Sequence, residues 1–557
     1  MKHLILYSAM SLALLSSNAY ASITVNADGT PTAQTLANTT EIYLSGTAAL
    51  QEIIERSLLI GTTDGICKAG TVRKYQDKPS SGANQIAYLC EFNKGAGLNP
   101  IINTLATHPK VWKNNLLLYK RNEGGSLLGI LPVANNLPTA FLNVTANLGS
   151  CTPTTAGSFV ATVACDFSTS NNNNHIPDFG VSDQEPRVFN VANGNAPTGT
   201  PTISSNYKTI PGVDALFGIA VTTKLRNALQ EAQFGTTSTC VASETESCMP
   251  TLSSGQIAAI FAAYPAPTAP ATLPVAGAGK FHDWKQFKIG ATGDLWTNAS
   301  SANKATSSKL HICSRNSGAG TKVALGMVFL DNACNPAASK VVSQADYMGT
   351  GEIAGSAPVP ESAIRPTVHV TSSLGGFDEC MDELDLDTEN NSGAFDSTQY
   401  QGSRWAIGYT VMERNATRSK SYRFIKVDGV APTLLNVASG QYPFWAETIY
   451  LYRISTNPLI GDKQTLINEM INAFGKPAIL SLANVSATHS FGISGHLAIP
   501  NAVHPATANG ALNLSNPINP LSYSIYPSAG TNATNNCRVP LIYSTTTNNL
   551  QGIQLNP

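Results

Sequence analysis

The chain carries little charge of either sign: 34 Lys and Arg against 35 Asp and Glu in 557 residues, a formal net charge of -1. This balance leaves no overall field to draw in nucleic acid or an anionic membrane surface. Beyond the first 21 residues, no segment reaches the roughly 18 unbroken apolar residues that argue for a membrane-spanning helix. There is no CxxC or HxxxH pair, so zinc binding has no local signature. There is no GxSxG elbow for serine hydrolysis, and no internal repeat. Apolar residues, in contrast, make up 42% of the chain. With so little charge that fraction excludes intrinsic disorder, and at this length it builds a large core.

The amino terminus reads as an export signal. Lys2 and His3 precede the apolar stretch Leu4 to Leu15, and Ala19-Tyr20-Ala21 supplies a small-x-small site. Cleavage is expected before Ser22, which places residues 1–21 in the signal peptide and the mature protein in the periplasm or outside the cell. No Cys at the junction offers a lipid anchor. The ten cysteines are an even number, which suits an oxidising compartment. Their spacing predicts local bridges Cys67–Cys90, Cys151–Cys165, Cys240–Cys248 and Cys313–Cys334. Cys380 and Cys537 are left to close a long loop.

Strand patterns alternate with helix patterns, which predicts an α/β fold. Ser22 to Thr40 is polar and reads as a short arm. Glu41 to Leu44 reads as a strand, followed by the small turn Ser45-Gly46-Thr47. A helix with Leu50, Ile53, Ile54 and Leu58 on one face comes next. Leu116 to Tyr119 repeats the logic, with the turn Asn122 to Ser126 after it. Cys151 to Asn174 reads as a disulfide-bounded excursion. Ser253 and Gln256 form a capping box, and Asp462 is the expected cap of a helix ended by Gly475 and Pro477. Irregular structure is expected after Ile499, pinned by Cys537.

Two segments carry the chemistry. The first is Asp178 to Asp183. The second is Arg315 to Thr321, between the apolar strand Leu310–Cys313 and a helix expected from Lys322 to Leu330. The second is an anion site in outline. Glycines allow close backbone approach, the helix start offers N–H groups, and Arg315 adds a forked cation. Seven carboxylates fall between Asp378 and Glu389. Without a glycine at the sixth position they do not fit an EF-hand, and they read as a solvated acidic face or insertion.

At these positions the chain resembles the phosphate-binding proteins of bacterial phosphate ABC transporters, within the type II periplasmic binding protein fold. Leu44-Ser45-Gly46-Thr47-Ala48 resembles the family's first ligand loop, and Asp178 to Asp183 its DFGxSD segment. Arg315 to Thr321 resembles its RxxGSGT loop, and Ala406-Ile407-Gly408-Tyr409 its AIGY strand. The resemblance runs from about Ile42 to Tyr452. It implies a two-lobed α/β fold with an interlobe cleft: lobe one from 22 to 211, lobe two from 212 to 439, and a return to lobe one with the tail from 440 to 557. It implies ligand contacts from Thr47, Ser126, Ser182, Asp183, Arg315, Gly320 and Thr321. Asp183 would be the carboxylate that accepts a hydrogen bond from protonated phosphate, which sulfate cannot donate.

Three positions depart from the family. Ala319 stands where the family has Ser, Thr47 and Ala48 compete for one register, and Asn122-Glu123 replaces a Ser-Ser pair. The expected ligand is a small oxyanion, phosphate first, with no cofactor, metal or nucleic acid. Membrane subunits of an ABC transporter are the partners the resemblance implies, and a monomer is expected. No catalytic residue is identified. The alternatives are a secreted phosphatase relative and a surface protein that keeps the fold without its ligand.

Overall fold

The computed structural model of the protein describes residues 23–61, 65–77, 84–93, 113–145, 150–154, 157–168, 172–262, 281–289, 293–335, 340–341, 361, 366–387, 402–438, 440–498, 537, 541–544 and 549–552. The expected signal peptide, Glu389 and nearly all of the tail after Ile499 lie outside them.

One mixed sheet of 14 strands organises the fold. Its first half contains β1 (Thr39–Gly46), β2 (Arg73–Gln76), β3 (Gln85–Glu91), β4 (Asn115–Arg121), β5 (Cys151–Thr154), β6 (Ala161–Cys165) and β7 (Phe179–Ser182). The long strand β8 (Lys208–Thr222) follows, then β9 (Ser307–Arg315), β10 (Thr367–Thr371), β11 (Arg404–Val411) and β12 (Tyr422–Phe424). β13 (Trp445–Tyr452) and β14 (His496–Ala498) complete it. The spatial order is β10-β9-β11-β8-β13-β7-β1-β4-β3-β2-β6-β5, with β12 and β14 also paired to β8.

β8 joins the two halves. Its first residues, Lys208 to Leu216, pair with β13, with a register shift between Pro211 and Asp214. Its last residues, Phe217 to Val221, pair with β11. A fifteen-residue strand serves two partners because its apolar run is long and buried almost throughout, as sheets covered on both faces require.

The central strands of each half run parallel: β1 with β4 and β7, and β9 with β10 and β11. Their carboxyl ends therefore open along the same edge within each half, where ligands of open α/β sheets bind. Helices α1 (Gln51–Leu59), α2 (Leu127–Ala134), α3 (Thr223–Phe234), α4 (Ser254–Phe261), α5 (Gly320–Leu330), α6 (Leu374–Leu386), α7 (Gly461–Phe474) and α8 (Pro477–Ser486) accompany the sheet. One continuous apolar core runs through both halves, from Ile42 and Val181 through Phe217 to Ile312 and Ile407. A smaller core on the other face of the first half gathers Tyr43, Tyr75, Tyr119 and Phe141.

Several expectations meet the structure directly. Ile53, Ile54 and Leu58 form the buried face of α1, and Ser253 with Gln256 makes a complete capping box on α4. The presumed arm is folded: Thr32 caps a helical turn, Ala33–Ala37, and Thr35 Oγ1 accepts from Thr24 N at 2.9 Å. Ile460, not Asp462, occupies the cap of α7, with Asp462 in the first turn.

The disulfides correct one expectation. Cys67–Cys90, Cys151–Cys165 and Cys240–Cys248 are paired. Cys313, however, bonds Cys380, and Cys334 bonds Cys537. The expected Cys313–Cys334 bridge joined neighbours in sequence. Cys313 lies in β9 and Cys380 in α6, an element that packs back across that strand, so proximity comes from packing.

The acidic segment is the larger correction. Asp378, Glu379, Glu383 and Asp385 are buried on α6 and not solvated. On this helix Asp378, Asp382 and Asp385 have partners within the protein. Asp378 contacts Arg414 and accepts from the Tyr422 hydroxyl at 2.9 Å. Asp382 pairs with Lys420, and Asp385 accepts from Lys224 N.

Candidate functional site

The parallel strands deliver the site. Thr47 directly follows β1, Asp183 directly follows β7 and Arg315 ends β9, and these three line one cavity of about 380 Å³. Gly320 and Thr321, at the start of α5, line it as well, as do Ser373 and Gly375 at the start of α6. Ala48, Ala49 and Gln51 bring the start of α1 to the same space. Three helix N-termini thus border one cavity, and a helix N-terminus offers backbone N–H groups and a positive dipole end.

Asp183 is the centre of the side built by the first half of the sheet. Its Oδ2 accepts from the hydroxyls of Thr47 and Ser126, both at 2.9 Å, and its own N–H donates back to Ser126 Oγ at 3.1 Å. Its Oδ1 is buried with no hydrogen-bond partner. Burial pushes the carboxyl up to about 6, while Ser126, Thr47, Arg315 and Lys120 restrain it. The carboxyl is therefore ionised above that pH and holds one unused lone-pair site.

Arg315 faces it from the other half. Its Nε and Nη2 donate to the carbonyls of Thr371 and Ser372 at 3.3 Å, which orients the guanidinium and leaves Nη1 without an acceptor among the described residues. Burial lowers its affinity for the proton, to about 10, still well above neutrality. Thr321 Oγ1 is a second buried atom without a partner. Gly320 is required by contact, because a Cβ there would collide with Ser126 Oγ and the Asp183 side chain.

The remaining expected residues divide. Ser126 sits behind Asp183 and acts on it, outside the cavity lining. Ser182 turns away: its hydroxyl donates to Gln184 O at 2.6 Å, closing its own turn. Thr47 and Ala48 both line the cavity, but only Thr47 has a hydroxyl, and that hydroxyl is given to Asp183. Ala319 caps α5 without a side-chain hydrogen bond. Glu123, a second carboxylate in the middle loop, is drawn off to Arg121 at 3.0 Å and Gln85 at 3.2 Å.

Lys120 was not among the expected residues. It is fully buried at the end of β4, and its ammonium is surrounded by Gly46 O, Thr47 O, Arg121 O and Asn122 Oδ1 at 2.6–3.1 Å. Burial lowers it to about 7, with Asp183 opposing. Four acceptor oxygens around one nitrogen favour the charged, three-donor form, which ties the Thr47 loop to the Asn122 turn. A lone lysine closing the apolar run Leu116 to Tyr119 was the available signal. Glu413 and Arg414, just past β11, also line the cavity.

No protein-family model and no curated protein sequence matches the chain. Among solved structures, it is similar to a candidate phosphate ABC transporter substrate-binding protein of Clostridium perfringens with bound phosphate. That match has 10% identity over 82% of this chain and 99% of that one, with a TM-score of 0.35. An ABC-type phosphate transport receptor from Vibrio cholerae matches at 11% identity over 80% and 96%, TM-score 0.31. PstS from Borrelia burgdorferi matches at 10% identity over 82% and 98%, TM-score 0.30. With TM-scores below 0.5, these likenesses say nothing about the ligand of this chain.

Proposed function

We propose that this is an exported solute-binding protein that captures a phosphate-like oxyanion in the cleft between two lobes. The observation that carries the reading is the unpartnered Oδ1 of Asp183, which lines a cavity together with Arg315 and the starts of α1, α5 and α6. A buried acceptor without a donor is costly, and a protonated phosphate supplies that donor. Its remaining oxygens would take the free Nη1 of Arg315, the Thr321 hydroxyl and the helix-start N–H groups. Sulfate has no proton to give and would set a lone pair against Oδ1.

In this reading the lobes divide near residues 211 and 440. The register shift in β8 between Pro211 and Asp214 supports a hinge there, and closure would proceed by bending of the shared strands. The signal-like amino terminus, the five disulfides and the absence of any described helix long and apolar enough to cross a membrane suit export. Delivery to membrane subunits of an ABC transporter would follow from the family resemblance. Calorimetry on ligand-free mature protein tests the reading: phosphate should give heat and sulfate should not. Absence of phosphate heat would sink it.

A further inference from the structure

The cavity exceeds what a bare oxyanion fills. Its volume, about 380 Å³, falls in the roughly 300–1,000 Å³ range of pockets for organic ligands. Its lining also continues along the sheet edge away from Asp183. Gln76 closes β2 and Asn84 precedes β3, and the strand order β7-β1-β4-β3-β2 puts Gln76 four strands from Asp183. At about 4.8 Å per strand, the polar lining extends more than about 10 Å beyond the oxyanion corner. Gln76 and Asn84 line this extension, and their side chains have no hydrogen-bond partner among the described residues.

We propose that the cleft takes a phosphomonoester of a hydroxylated aliphatic compound, a sugar or polyol phosphate. The phosphoryl group would sit at Asp183 and Arg315, with the hydroxyls on Gln76 and Asn84. This rests on the oxyanion reading above and narrows it. Each carboxamide offers both donors and an acceptor, the pattern a hydroxyl matches. Among the described residues no aromatic side chain lines the cavity, so they offer a nucleobase no ring to stack on. A monoester retains an ionisable oxygen that can hold the proton shared with Asp183; a diester does not.

The test is calorimetry on the ligand-free mature chain with inorganic phosphate, glucose 6-phosphate, glycerol 3-phosphate and propyl phosphate, the last a monoester without hydroxyls. At least one polyol phosphate should bind about tenfold or more tightly than propyl phosphate. In the Gln76→Ala/Asn84→Ala double variant that ratio should fall towards one. Heat from phosphate but none from the polyol phosphates would overturn this inference and leave the oxyanion reading standing. So would equal affinity for polyol and propyl phosphates, or a ratio unchanged in the variant. Silence from all four ligands would overturn both.

Discussion

Asp183, at the end of β7, and Asp378, inside α6, are both almost wholly buried, at 1% and 2% exposure. Asp378 spends each oxygen on a different protein partner, the Tyr422 hydroxyl and the Arg414 guanidinium. Asp183 receives both of its side-chain hydrogen bonds on Oδ2 and keeps Oδ1 bare beside a cavity. The difference separates two uses of a buried acid. A carboxylate completed by the protein fixes packing. A carboxylate left half-complete, yet held rigidly by two hydroxyls, is set for a donor from outside. Charge density along the chain points the wrong way: the dense acidic segment is structural, and the isolated Asp183 is the binding candidate.

The largest effect expected concerns the anchoring of the structural acid. Replacing both Cys313 and Cys380 with Ser should lower stability by about 4 kcal/mol, from a chain-entropy estimate for a separation of 67 residues. Urea unfolding checks the magnitude. Non-reducing peptide mapping that recovered Cys313 joined to Cys334 would break the pairing itself. Next, Arg315→Ala should weaken phosphate binding by about 3 kcal/mol, because it removes the buried cation opposite Asp183. Unchanged affinity would place the site elsewhere.

Asp378→Asn should destabilise the fold by about 2 kcal/mol, discounted because the Arg414 side chain is 35% exposed. Asp183→Asn should behave in the opposite way in thermal unfolding of ligand-free protein, with stability held or raised, while preference for phosphate over sulfate falls about tenfold, near 1.4 kcal/mol. If both variants lost stability alike, the contrast between the two acids would collapse.

The smallest effect is the pH dependence. Asp183 is raised to about 6 in the fold, against about 3.9 in an unfolded chain. The native state therefore binds more protons across that window. This group's contribution to stability rises as pH falls from about 6 to about 4. Asp385 is also raised to about 6, so the informative quantity is wild type minus Asp183→Asn at each pH. A flat difference would show that Asp183 is not held above its ordinary range.

Much of the site was legible because its parts are local. Gly46-Thr47 and Arg315 to Thr321 are strand-to-helix turns, and their glycines and hydroxyls appear as short patterns. Lys120 was harder to read. A single lysine after an apolar run means little until four oxygens from β1, β4 and the next turn close around it. Gln76 and Asn84 were harder still, being ordinary polar residues at strand ends. They join the cavity only because β2 and β3 lie in order beyond β4.

The sequence alone determined the α/β alternation, three of the four expected short-range disulfides and the residue types at the loop ends, because each depends on spacing within one or two elements. Tertiary structure decided the Cys313–Cys380 and Cys334–Cys537 bonds and the burial of α6. It also decided which lone pair of Asp183 stays empty. The reason is physical: burial and hydrogen-bond completion depend on what other elements bring to the same place. Residues as far apart as Thr47, Ser126 and Arg315 meet Asp183 only after the sheet has assembled around β8 and β13.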